Sequence, residues 1–174
     1  MVRFKAAKLR AQRGFTLIEI MIVVAVIAIL AIVVVPTFFR ETRKTKGATE
    51  VTPMFAEISV KQEQYKADTG LYLDTAECPS TTSPAGVAAS TCTAAADWVA
   101  LRINPPEAVI RCKYDVEVGT GAGVVNPNGF TFTAPAANWF YILATCDMDG
   151  SGTLDATYFT SSVDTAIQKL NEGN

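Results

Sequence analysis

The chain has 174 residues, four cysteines, no histidine and a formal net charge of −2. Without histidine it lacks the commonest general base and the commonest metal ligand, which leaves little room for catalysis. The charge is uneven: the first 14 residues hold five cations and no acid, and the remainder carries 10 basic and 17 acidic side chains. A mildly acidic chain with no broad basic face excludes nucleic-acid binding through a diffuse electrostatic footprint.

Arg3, Lys5, Lys8, Arg10 and Arg13 form a short basic leader that ends in Gly14. The next 21 residues, Phe15 to Val35, would span roughly 31 Å as a helix, which matches a bilayer core. From Ile20 to Val35 there is no polar residue, yet Glu19 places a carboxylate just inside the run. Burying an unpaired carboxylate is expensive, so Glu19 needs a waiting partner or marks a function. A secretory signal peptide would have a shorter apolar region followed by small residues in an A-x-A pattern. No such triplet follows the run, which reads Leu30-Ala-Ile-Val-Val-Val-Pro36. On hydropathy alone, a signal anchor that stays in the membrane fits equally well. Four cations, Arg40, Arg43, Lys44 and Lys46, follow the run closely, so charge favours an inside N-terminus only weakly. Ala25, Ala28 and Ala31 recur every three residues and allow close helix approach. Pro36 predicts a kink or local opening over Val33–Pro36.

The string Arg13-Gly-Phe-Thr-Leu-Ile-Glu19, followed by a long apolar stretch and Pro36, resembles the N-terminus of type IV pilins and their pseudopilin relatives. The resemblance is strongest over residues 13–39. It implies that residues 1–14 are a prepilin leader, cut between Gly14 and Phe15 on the cytoplasmic side. It implies N-methylation of Phe15, and that Glu19 brings an incoming subunit into register by pairing with a neighbour's free amine. In a dry filament core such a pair is strong and a missing partner costly.

Beyond Pro36 the chain turns charged and then amphipathic. Val51, Met54, Phe55, Ile58 and Tyr65 fall on one helical stripe that would pack on a sheet. Pro53 predicts a bend or fresh helix start near Thr49–Pro53. The helix should end at Asp68-Thr-Gly70, giving a long helix over 15–70. Residues 71–97 are rich in Ala, Ser, Thr and Pro in their second half and read as a connecting loop. Strands are predicted at Trp98–Ile103, Ala108–Val118, Phe130–Thr133, Asn138–Cys146 and Thr153–Phe159, with Asn138–Cys146 central. The expected fold class is α+β: a long helix laid on a four- to five-stranded antiparallel sheet over residues 98–174.

Cys78, Cys92, Cys112 and Cys146 belong to the part that would face an oxidising compartment, and no C-x-x-C spacing points to a metal or redox motif. Of three possible pairings, the expected one is Cys78–Cys92 within the loop and Cys112–Cys146 between strands.

Asp147-Met-Asp-Gly-Ser-Gly-Thr-Leu-Asp155 reads as the first part of an EF-hand-type loop. Asp147, Asp149 and Ser151 take the alternating ligand positions, Gly152 the sharp turn, Thr153 offers its carbonyl, Leu154 packs inward and Asp155 takes the ninth position. Tyr158 stands where a bidentate Glu is usual, so a calcium ion would bind weakly unless another acid such as Asp164 came near. The competing reading is a β-hairpin turn, since Asp and Gly are the usual turn formers.

No residue looks catalytic. The family resemblance implies a filament subunit, a pilin or minor pilin, held in the inner membrane before assembly and exposed on the cell surface after it. Its implied partners are other pilin subunits, the prepilin peptidase and N-methyltransferase, and an inner-membrane assembly platform. The alternatives are a pseudopilin of type II secretion and, from a different class, a membrane-anchored calcium-binding domain that never polymerises.

Overall fold

The computed structural model describes residues 14–153 and 155–173. The leader residues 1–13, and the inward packing expected of Leu154, lie outside the described residues. The chain divides into two compact units, Met1–Phe38 and Phe39–Asn174.

In the first unit, helix α1 (Leu17–Thr69, continuing into the second unit) begins one residue after Thr16. Its large apolar side chains up to Val35 all stand exposed, from Leu17 at 78% to Val35 at 48%. A helix that is apolar all round is built for an apolar surrounding, not for one buried stripe. Helical structure runs through Pro36 without a break. The Thr37 hydroxyl donates to the Val34 carbonyl at 2.8 Å, taking up a carbonyl in the turn that the proline crosses.

In the second unit the apolar stripe behaves as its spacing demands. Val51, Met54, Phe55 and Ile58 are buried, and Tyr65 packs at the edge of the same core. The fresh helix start expected near Pro53 does not occur, because α1 is continuous there. Proline removes one ladder hydrogen bond. The hydroxyls of Thr49 and Thr52 bond back to Thr45 and Ala48, and the packed face on either side of Pro53 keeps the helix in register. α1 ends as predicted: Gly70 has φ +84° and its N–H donates to the Lys66 carbonyl.

The remaining elements are β1 (Thr75–Cys78), β2 (Val87–Ala88), α2 (Ser90–Thr93), α3 (Ala96–Leu101), β3 (Val109–Ile110), β4 (Cys112–Gly119), β5 (Gly123–Val125), β6 (Phe132–Ala134), β7 (Trp139–Cys146), β8 (Ala156–Ser161) and β9 (Gln168–Leu170). Five strands form one antiparallel sheet in the order β1-β4-β7-β8-β9, with β7 central. The fold is α+β, a long helix on a five-stranded antiparallel sheet. On the helix-facing side, Tyr114, Val116, Phe140, Ile142, Ala144 and Tyr158 meet the α1 stripe.

Three expectations need correction. Trp98–Ile103 is not a strand: α3 occupies most of it. Trp98 and Leu101, three apart, are buried while Val99 is exposed, which is a helical pattern. Arg102 closes the helix in the left-handed conformation, and the Ile103 N–H reaches back to the Trp98 carbonyl in a Schellman-type end. Residues 71–97 are not bare loop, since they hold β1, β2 and α2. The Asp97 carboxylate accepts the Ala76 N–H at 2.7 Å and ties the edge strand to α3. Finally, Phe130–Thr133 does not join the main sheet. β6 pairs only with β5, and its aromatic rings cover the sheet's second face, where Phe130 and Phe132 pack on Trp139, Tyr141 and Phe159. β7 is thus buried on both faces, which explains its continuous apolar run.

Both expected disulfides are present. Cys78–Cys92 links β1 to α2 with Cα atoms 5.6 Å apart, and Cys112–Cys146 joins directly opposed residues of β4 and β7.

Candidate functional site

Gly14 and Phe15 precede the helix outside any regular element and are exposed, Phe15 at 80%. An added Cβ at Gly14 would meet nothing within 4 Å. This is an open, sterically unguarded peptide bond between a basic leader and an apolar helix. Thr16 then caps the helix, its Oγ1 accepting the Glu19 N–H at 3.2 Å. The spacing Thr16-x-x-Glu19 is that of a capping box, and Glu19 sits in the first turn, where the helix dipole favours an anion. Glu19 is exposed, so its carboxylate is presented on an otherwise apolar surface. By length and composition α1 contains one span apolar enough to cross a membrane, and none of that window is buried.

Residues 9–35 match the prokaryotic N-terminal methylation motif. The chain carries the hallmark of type IV pilins and prepilin-like proteins. The chain as a whole matches no curated protein and no solved structure. The motif supports a pilin-like or pseudopilin precursor. It implies processing by a prepilin peptidase and assembly with other pilin subunits. Leader and apolar helix together fit membrane anchoring before assembly.

The aspartate loop lies between β7 and β8. Asp147 is buried, and its two carboxylate oxygens accept the N–H groups of Gly150 and Gly152 at 2.6 and 3.2 Å. Gly152, with φ +63°, makes the sharp turn expected of it. Asp149 accepts the Ser151 N–H at 2.9 Å and faces Arg43 at 3.8 Å. The hydrogen bonds from Ser151 hold the Asp149 carboxyl below its usual range. The Ser151 hydroxyl donates to the Thr153 carbonyl at 3.0 Å. Asp155 Oδ1 is buried without a hydrogen-bond partner among the described residues. Burial, and then the charge of Asp147, push the Asp155 carboxyl upward.

Among the described residues, no group of three or more His, Cys, Asp or Glu side chains is arranged to hold a metal ion. Tyr158, at the position where a calcium loop would place its bidentate Glu, is buried in the core. Asp164 lies in the turn beyond the opposite end of β8, where its carboxylate accepts the Ala166 N–H. It does not supply the extra acid.

Sequence reasoning missed two polar residues that hold the second unit together. Glu50 is 6% exposed, and its Oε1 accepts the N–H groups of Arg111 and Cys112 and the Tyr114 hydroxyl. Burial and then the Glu50 charge push the Tyr114 hydroxyl well above its ordinary range. Gln62 is fully buried and grips the backbone of Leu73 at both its N–H and carbonyl. The signal was present: residues 50, 54, 58 and 62 form one i, i+4 row on the buried helix face.

Proposed function

We propose that the chain is a structural subunit of a type IV pilus, a pilin or minor pilin. The leader is cut after Gly14, Phe15 is N-methylated, and residues 15–35 pass from the membrane into the filament core. There the Glu19 carboxylate pairs with the new amine of a neighbouring subunit, and the fibre serves attachment, twitching motility or DNA uptake. The observation that carries this reading is the methylation motif at residues 9–35 heading a helix whose apolar surface stands exposed among the described residues. An acid on that surface gains most from a partner that arrives only on assembly. Mass spectrometry of the purified subunit tests it. A mature N-terminus at a methylated Phe15 is expected, and a chain that still begins at Met1 in working fibres refutes it. Glu19→Ala should abolish incorporation while leaving cleavage intact.

One observation bears on calcium: Asp155 Oδ1 is buried with no hydrogen-bond partner among the described residues, beside a loop of hard oxygen donors. To hold calcium, Asp147, Asp149, the Ser151 hydroxyl and the Thr153 carbonyl would have to turn from their present hydrogen bonds onto the ion together with Asp155, whose buried carboxylate the ion would then balance. Oxygen-only donors fit that ion, while the missing bidentate acid makes binding weak. A rise in melting temperature on adding millimolar calcium supports the site, and an unchanged melting curve removes it. An intact leader on a calcium-binding chain would instead favour an anchored domain that never polymerises.

A further inference from the structure

The segment directly after the apolar run carries four cations in seven residues, Arg40, Arg43, Lys44 and Lys46, against one acid, Glu41. Everything beyond it is acidic: residues 47–174 hold 15 acids and six bases. The second unit therefore has a basic end where the chain leaves the apolar helix and a strongly acidic remainder. For a helix inserted with its N-terminus inside, cations on the outer flank oppose the usual orientation rule.

The local structure suits a membrane surface. Phe38 and Phe39 precede the belt and are 66% and 56% exposed, so the apolar surface of α1 continues up to the first cation. The stems of Arg40 and Lys44 are packed: a Cβ on Gly173 would lie 2.9 Å from Arg40 Cγ and 3.0 Å from Lys44 Cγ. Arg40 and Lys46 are exposed and have no acidic partner among the described residues. Lys44 shares its charge with Glu41 at 2.9 Å, and Arg43 faces Asp149 at the longer 3.8 Å.

We propose that the basic belt Arg40, Arg43, Lys44 and Lys46 docks on anionic phospholipid headgroups and holds the folded domain at the membrane surface before assembly. The phosphates attract the belt while the acidic remainder of the domain is repelled, so the pair of effects sets which end faces the bilayer. The inference rests on the membrane placement of residues 15–35 and is independent of polymerisation. A cation close to an anionic surface is worth roughly fivefold in association, and less when salt or an internal carboxylate screens it.

The test uses the full chain in nanodiscs of equal parts phosphatidylcholine and phosphatidylglycerol, with the retained lipids counted by native mass spectrometry. Wild type should retain phosphatidylglycerol preferentially. The variant with Arg40, Arg43, Lys44 and Lys46 all changed to Gln should lose at least about tenfold of that preference. The leader's cations are common to both chains, so the difference reports the belt alone. The charge-conserving R40K/R43K variant should keep the preference, and Arg102→Gln, at the end of α3, should not alter it. Intact disulfides in each variant, read by peptide mapping, exclude misfolding as the cause of a loss. Undiminished preference in the four-fold variant overturns the proposal and leaves the pilin reading standing. So does a chain dimer that the neutral variant loses instead of lipid, since the belt would then join two copies. A chain whose residues 15–35 remain open to aqueous labelling overturns the membrane placement as well.

Discussion

The carboxylate of Glu50 accepts a hydrogen bond from the backbone N–H of Cys112 at 2.9 Å, across 62 residues of sequence. The same oxygen takes the Arg111 N–H at 2.8 Å, so one helical side chain receives the start of β4. Cys112 is in turn bridged by its disulfide to Cys146 of β7, which lies directly opposite it. Glu50 thus fixes where the helix meets the two central strands. Glu50→Ala should destabilise the second unit by about 2–3 kcal/mol, because it strands two buried N–H donors and the Tyr114 hydroxyl. Urea unfolding of the oxidised chain measures this, and a midpoint unchanged from wild type would show that water replaces the carboxylate without loss.

The Cys78–Cys92 bridge closes 14 residues of sequence that contain only β2 and the first part of α2 as regular structure. Here the crosslink contributes mainly by restricting the unfolded chain, about 3 kcal/mol on the entropy account. Replacing both cysteines by Ser should lower stability by that order and expose residues 79–91 to proteolysis, while the β4–β7 ladder persists. Limited digestion followed by mass analysis checks both halves of the statement; cleavage first in β4 or β7 contradicts it.

Much of this was legible in the sequence because it rests on local patterns. The apolar run, the stripe from Val51 to Ile58, the stop at Gly70 and the central strand each announce themselves within a few residues. The string Gly14-Phe15 and the acid Glu19, on which the proposed processing and assembly rest, are equally local. What the sequence did not disclose depends on partners far along the chain. Trp98–Ile103 has apolar residues that suit a strand or a helix, and burial of Trp98 and Leu101 together decides for the helix. Glu50 and Gln62 look like surface residues until β4 and Leu73 supply their partners. The β5–β6 hairpin could not be placed, since nothing in Phe130-Thr-Phe132 says which sheet face its rings will cover.

Asp115 makes stability depend on pH. Burial raises its carboxyl from 3.8 to about 6, helped by the charges of Glu117, Asp74 and Glu77 and opposed by Lys113. A folded value above the unfolded one means that the native state holds the proton more tightly. The contribution is therefore present below about pH 4 and is lost as pH rises through about 6. Screening at a partly exposed carboxyl reduces the effect to about 1 kcal/mol. Asp115→Asn should raise the urea midpoint at pH 7 and have little effect at pH 4. A variant equally stabilised at both values would mean that packing, not ionisation, is responsible.

Gly47 permits the closest approach of α1 to β8. A Cβ there would sit 2.6 Å from the Tyr158 hydroxyl oxygen and 3.7 Å from Met148 Cε. The ring cannot simply withdraw, because Tyr158 is 1% exposed and its strand is paired on both sides, to Ala144 and Lys169. Two effects compete in Gly47→Ala. Helix propensity gains about 1 kcal/mol, while overpacking a filled core costs about 1–3 kcal/mol. The crowding should win, with a net loss of about 1 kcal/mol. Removing the hydroxyl reverses the balance, so G47A combined with Y158F should recover the loss. Thermal unfolding of both variants and of Y158F alone separates the terms. If the double variant is no more stable than Gly47→Ala alone, the hydroxyl is not what crowds the helix, and the approach is limited by backbone instead.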